Sequence, residues 1–126
     1  MSNPFGEAGT AQYVYFTTYK KDGTAVGTPV WAALDGDAMV IWSATDTWKV
    51  KRARRNPQVT VAKCDSRGGK RGQEYTGTAE ILDPAGTDRV RKVLAKKYGI
   101  IGQIAVYGSR YLRGRDHSIG IRITAA

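Results

Sequence analysis

The strongest constraint on this chain is its punctuation: short β-branched and aromatic runs, each closed by a turn signal after no more than about ten residues. Gln12 to Tyr19 is such a run, and Lys20, Lys21, Asp22 and Gly23 follow it, with an Asp-Gly pair suited to a tight hairpin. Thr24 to Leu34 forms a second strand. It carries Gly27 and Pro29, which a central ladder tolerates poorly, so it is expected to bulge or to run along an edge. Asp35, Gly36 and Asp37 make the next turn, and Ala38 to Ala44 is a third strand. Thr45, Asp46 and Thr47 supply N-cap residues for a short basic helix from Trp48 to Arg55, which Asn56-Pro57 ends.

Gln58 to Cys64 alternates as a fourth strand, Asp65 to Gly72 is a glycine-rich basic hairpin loop, and Gln73 to Leu82 is a fifth strand. Asp83 before Pro84 opens a helix that is expected to end at Tyr98-Gly99. Ile100 to Leu112 reads as a further helix, ended or interrupted near Gly108, and Ser118 to Thr124 alternates as a sixth strand able to close a barrel. A mainly β fold follows, a small barrel with a few helices in preference to a layered α/β fold. At 126 residues the chain has room for one domain, 1–126, with residues 1–10 expected to be a flexible N-terminus.

Much chemistry is excluded. A single cysteine, Cys64, rules out an internal disulfide and a cysteine-based zinc site and reads as an inert strand residue. His117 is the sole histidine, so no His-pair metal site exists, and no nucleophile stands near it in sequence; a structural or surface role is expected. No G-x-G-x-x-G occurs, and Gly68 to Gly72 lacks the spacing and the hydroxyl residue of a Walker loop. With the carboxylates scattered, hydrolysis has no support, and any difficult chemistry belongs to a bound cofactor. The start of the chain has neither a basic leader nor an apolar stretch, and no run approaches a membrane span, so a cytoplasmic protein is expected. The net charge of +9 points to an anionic ligand or partner; for nucleic acid, charge is the only support.

The most informative segment runs from Trp42 to Pro57: a strand end, a hydroxyl-rich turn and a basic helix. Hydroxyl and backbone donors at a helix N-terminus hold phosphate well, and the helix dipole adds to the attraction. At about 100° per residue, Val50 and Ala53 share a buried face and Lys49 lies at its edge, able to reach back toward the turn. Lys51, Arg52 and Arg55 project toward solvent in the same projection, where they meet an anionic tail or merely keep the protein soluble.

Thr28-Pro29-Val30-Trp31, then Asp35-Gly36-Asp37, then Ser43, Lys49 and Asn56-Pro57 at their spacing, with Val59 opening the next strand, resemble the pyridoxamine 5'-phosphate oxidase-like flavin proteins. The pattern is most similar to their actinobacterial branch that uses the deazaflavin coenzyme F-420, and Lys97-Tyr98-Gly99 is similar to that branch too. The resemblance covers nearly the whole chain. It implies a six-stranded, FMN-binding-like split β-barrel that forms a homodimer, with a cofactor in each of two grooves between the subunits. It places Ser43 near the cofactor phosphate, Lys49 on that phosphate, and Thr28, Pro29, Val30 and Trp31 along the isoalloxazine-type ring, with filling of the dimer core the other role open to Trp31. Ala44, Thr45 and Thr47 of the turn and Lys51 and Arg54 of the helix complete the candidate contacts. Trp48 departs from the pattern, standing where the pyridoxamine-phosphate oxidases carry a second basic phosphate ligand, which counts against FMN-dependent oxidation of pyridoxamine phosphate. The implied activity is hydride transfer between reduced F-420 and a small unsaturated or aromatic substrate. FMN is the alternative cofactor, and non-catalytic flavin or tetrapyrrole binding the alternative role.

Overall fold

The structure is a computed structural model that describes residues 4–44, 48–97 and 118–125. Seven strands form one sheet: β1 (Tyr13–Tyr19), β2 (Ala25–Val30), β3 (Ala32–Asp35), β4 (Ala38–Ala44), β5 (Gln58–Cys64), β6 (Glu74–Ile81) and β7 (Ser118–Ala125). Helix α1 spans Trp48–Arg55, and a second helix, α2, is described over residues 84–97. Every strand pair is antiparallel, in the order β2-β1-β5-β6-β7-β4-β3.

That order closes the fold on itself. β2 and β3 are the two outer edges of the sheet, yet Trp31 alone joins them. Val30 and Ala32 therefore stand no more than roughly 7 Å apart, and the curled sheet meets along a seam at this point. The run expected as one strand, Thr24 to Leu34, is thus two, which raises the count from six to seven. Gly27 and Pro29 suit an edge, and both halves of the run are edge strands, but the break at Trp31 comes where the two ends of the sheet meet.

Alternation sorts the faces. Val14, Phe16, Met39, Ile41, Val59, Val61, Ile121 and Ile123 point into the barrel and form its core. α1 plugs one end through Val50 and Ala53, the two residues placed on its buried face by the helical projection. The N-terminal segment differs from the flexible arm expected: a 3-10 turn at Gly6–Gly9 carries Phe5 and Ala8 into the core, both fully buried. A chain this short has few large apolar groups, so an aromatic ring near its start is worth a few kcal/mol when buried.

α2 lies outside the barrel, on β3, β4 and β7. Val90 and Leu94 pack with Ala33 and Val40, and Trp42 and Leu82 join them. Asp83 caps the helix, its Oδ1 accepting from the Gly86 amide at 2.8 Å. The helix sits close because Gly120 of β7 has no side chain: a Cβ there would meet Val90 Cγ2 at 2.8 Å and Thr87 Cα at 3.2 Å. The Gly120 amide uses the gap to donate to Thr87 Oγ1 at 2.9 Å. At the β3–β4 hairpin Gly36 takes φ +66°, as a two-residue loop with glycine first requires. The expected helix end at Tyr98-Gly99, the helix Ile100 to Leu112 and His117 lie outside the described residues.

Candidate functional site

The candidate residues fall on two neighbouring features, the seam strand β2 and the junction of β4 with α1. Across β4 and β7, Ser43 stands opposite the core residue Ile119, so it faces inward at the strand's end and is buried. Ala44 closes β4, and Thr45 and Thr47 lie outside the described residues.

Lys49 sits one residue into α1 and is half-buried. Burial, and next the positive Arg52, hold its pKa below the ordinary lysine value. Among the described residues no carboxylate pairs with it. Among the described residues, a lysine in this position is a partly desolvated cation with no carboxylate beside it.

The other basic residues of α1 divide differently from their helical projection. Arg52, expected in solvent, turns inward, and its Nε donates to Thr18 Oγ1 of β1 at 2.7 Å, where Thr18 is fully buried. Arg55 remains exposed but donates to the Tyr19 carbonyl at 3.2 Å. A long guanidinium at the end of a short helix reaches the neighbouring strand end, and these two dock α1 on β1. Lys51 and Arg54 stay exposed. Lys51 lies 4.6 Å over the ring of Trp48, which is 70% exposed and the one large apolar side chain so exposed among the described residues.

On β2, cross-strand partners fix which way each residue faces. Thr28 is opposite Phe16 and Val30 opposite Val14, so both face inward, and Val30 packs on the core. Pro29, opposite Tyr15, faces outward, and Trp31 is partly buried at the seam. Thr28 Oγ1 is buried with no hydrogen-bond partner. An unsatisfied hydroxyl on an edge strand costs about 1–3 kcal/mol. The donor set therefore fits a phosphate-bearing ring ligand: a hydroxyl without an acceptor on β2 and, among the described residues, an ammonium without a carboxylate partner on α1.

Other charges are already committed. The basic loop after β5 is folded on itself, with Asp65 Oδ1 accepting from the amides of Arg67 at 2.9 Å and Gly69 at 2.8 Å. These bonds hold the Asp65 carboxyl below its usual range, and Arg71 of the same loop stacks 4.0 Å over Tyr15. Buried Arg91 of α2, which sequence reading did not single out, gives Nη1 to Asp88 and leaves Nε and Nη2 without partners. Its signal in the sequence is weak: a basic residue one position after Val90 on an amphipathic helix. Among the described residues no cluster of His, Cys, Asp or Glu could hold a metal, and no helix is long and apolar enough to cross a membrane.

An antiparallel barrel split at one seam, with a basic helix plugging one end, defines the class of fold. The family model described as pyridoxamine 5'-phosphate oxidase matches residues 8–124, and the chain belongs to that family. No curated protein matches the chain in sequence. Among solved structures, the chain is similar to the conserved hypothetical protein Rv2991 of Mycobacterium tuberculosis at 20% identity and a TM-score of 0.69, covering 91% of this chain and 73% of that one. It is similar to an F420 reductase at 19% identity and a TM-score of 0.65, with coverage of 100% and 96%. It is also similar to the heme storage protein HutZ of Vibrio cholerae at 11% identity and a TM-score of 0.69, with coverage of 91% and 82%. At such identities the likeness is one of fold.

Proposed function

We propose that this protein is a deazaflavin-dependent oxidoreductase that binds coenzyme F-420 at the junction of β4 and α1 and along β2. The observation that carries the reading is Lys49, a half-buried ammonium with no carboxylate partner among the described residues. A phosphate there supplies the missing counter-charge, and it is met by Ser43, Ala44, Thr45 and Thr47 at the start of the helix. Thr28, Pro29, Val30 and Trp31 take the ring, with the Thr28 hydroxyl donating to a ring acceptor. Exposed Lys51 and Arg54 serve an anionic tail. The fold shared with an F420 reductase along its whole length supports the same reading.

When bound, a deazaflavin supplies hydride chemistry at its ring. This chain's own contribution is to hold and orient that ring, to neutralise its phosphate and to keep water from one face of it. The substrate is a small unsaturated or aromatic molecule. Two copies pair so that each groove is completed by the other subunit, and the exposed Trp48 is a natural contact for that partner or for the tail. FMN binding in the same place is the alternative, and the fold likeness to a heme storage protein keeps non-catalytic tetrapyrrole binding as the other role.

Titration of the purified protein with oxidised F-420, FMN and heme, followed by tryptophan fluorescence, separates these readings. F-420 is expected to bind most tightly, and Lys49→Ala to weaken it about tenfold to a hundredfold, the value of a hydrogen bond to a charged group. Unchanged binding in Lys49→Ala removes the phosphate site, and a monomer by sedimentation removes the intersubunit groove.

A further inference from the structure

Trp31 alone joins β2 to β3, and among the described residues neither edge strand pairs with a further strand on its outer side. A one-residue crossover between two edge strands leaves the seam's geometry to contacts from outside the sheet.

Lys97 of α2 supplies such contacts. Its Nζ donates to the Ala32 carbonyl at 2.6 Å and to the Ala11 carbonyl at 2.7 Å. Ala32 is the residue after Trp31, and Ala11 stands just before β1, the strand that pairs with β2. Both alanines are buried, so their carbonyls need internal donors. An ammonium can serve two carbonyls at once because it has three donors on one atom. α2 itself is pinned to the barrel by Leu94, one turn earlier, so it offers a fixed anchor. The lysine stem remains exposed while burial of its charged end lowers its pKa.

We propose that Lys97 is a positioning residue for the ligand ring: by tying Ala32 and Ala11 to α2 it sets the seam, and with it the attitude of Thr28 to Trp31 on β2. The inference rests on the ring lying along β2, as proposed above. Lys97 touches neither the ring nor the phosphate. Its loss therefore weakens the ring's share of binding and leaves the phosphate's share intact, whereas loss of Lys49 does the reverse.

The test uses a phosphate-bearing ligand and its phosphate-free form: F-420 with the corresponding deazaflavin lacking the phosphodiester and tail, or FMN with riboflavin, whichever pair the wild type binds. Affinities are measured for wild type, Lys97→Met, Lys97→Arg and Lys49→Ala, each checked by thermal melt. Lys97→Met is expected to weaken both ligands by the same factor, about tenfold, the worth of a charged hydrogen bond. Lys97→Arg recovers most of the loss, and Lys49→Ala weakens only the phosphate-bearing ligand. A folded Lys97→Met that binds the phosphate-free ligand as wild type does would overturn the inference, as would a loss confined to the phosphate-bearing ligand. If Lys97→Met does not fold, Lys97→Gln, which can still donate to one carbonyl, decides: an equal loss on both ligands supports the seam, and wild-type binding or a loss on one ligand alone refutes it. A wild type that binds neither member of either pair sinks the function proposed above instead.

Discussion

The two helices are both basic, yet they use their charge in opposite ways. On α2 the cations that turn toward the sheet end on acceptors supplied by the chain: Arg89 on Asp35 at 2.8 Å, Arg91 on Asp88, and Lys97 on two carbonyls. On α1, Arg52 and Arg55 are spent on β1, while Lys49 has no carboxylate partner among the described residues and Lys51 and Arg54 stay exposed. α2 is a brace whose charges mostly end on the chain itself, Arg91 keeping two nitrogens without partners. Among the described residues α1 leaves positive charge without a carboxylate partner at one end of the barrel, and that difference directs the search for a ligand to α1.

Breaking the brace should have the largest effect. Leu94 is fully buried between α2 and the sheet, so Leu94→Ala is expected to cost about 2–5 kcal/mol in a denaturant titration, with the seam destabilised alongside it. A loss under about 1 kcal/mol would mean that α2 is not what holds β3 and β4. Next comes Arg91, buried with two unpartnered nitrogens beside an Asp88 side chain that is 43% exposed. Removing the guanidinium strands no buried charge, because Asp88 reaches water, so Arg91→Met should be at least as stable as wild type. A clear destabilisation would show that Arg91 serves an acceptor, and would make α2 more like α1 than the comparison allows.

The smallest effect is in acid. The hydrogen bond from Arg89, then the nearby charges of Arg89 and Arg122, hold the Asp35 carboxyl below the ordinary 3.8. A lowered carboxylate pKa gives stability that is complete above the unfolded value and lost as pH falls through the folded one. Acid titrations of wild type and Asp35→Asn should therefore converge below pH 3.8 and differ above it. Because Arg89 is largely exposed, the difference should stay under about 1 kcal/mol. A gap that widens as pH falls would refute the assignment.

Local signals in the sequence carried far. The extents of β4, α1 and β5 follow from Ala38 to Ala44, Trp48 to Arg55 and Gln58 to Cys64, because period-two alternation, an N-cap turn and Asn56-Pro57 act over a few residues. The inward face of α1 follows from Val50 and Ala53 in the same way, and so does the half-buried place of Lys49 at its edge. Gly27 and Pro29 marked an edge strand, and the family pattern from Thr28 to Pro57 agrees with the matched family model.

Other features depend on partners distant in the chain. Thr24 to Leu34 splits at Trp31 because the sheet's two ends meet there, which no local pattern encodes. Phe5 leaves a polar terminus to fill the barrel, and Arg52 turns from solvent to a threonine 34 residues away. The Lys97 ammonium finds carbonyls 86 and 65 residues distant. The sequence by itself determined most of the elements, the buried face of α1 and its basic character, because propensity and periodicity are short-range. Only the tertiary structure decided where the barrel closes, which cations are spent and what fixes the seam, because hydrogen bonds and burial are settled by whichever groups the closed sheet brings together.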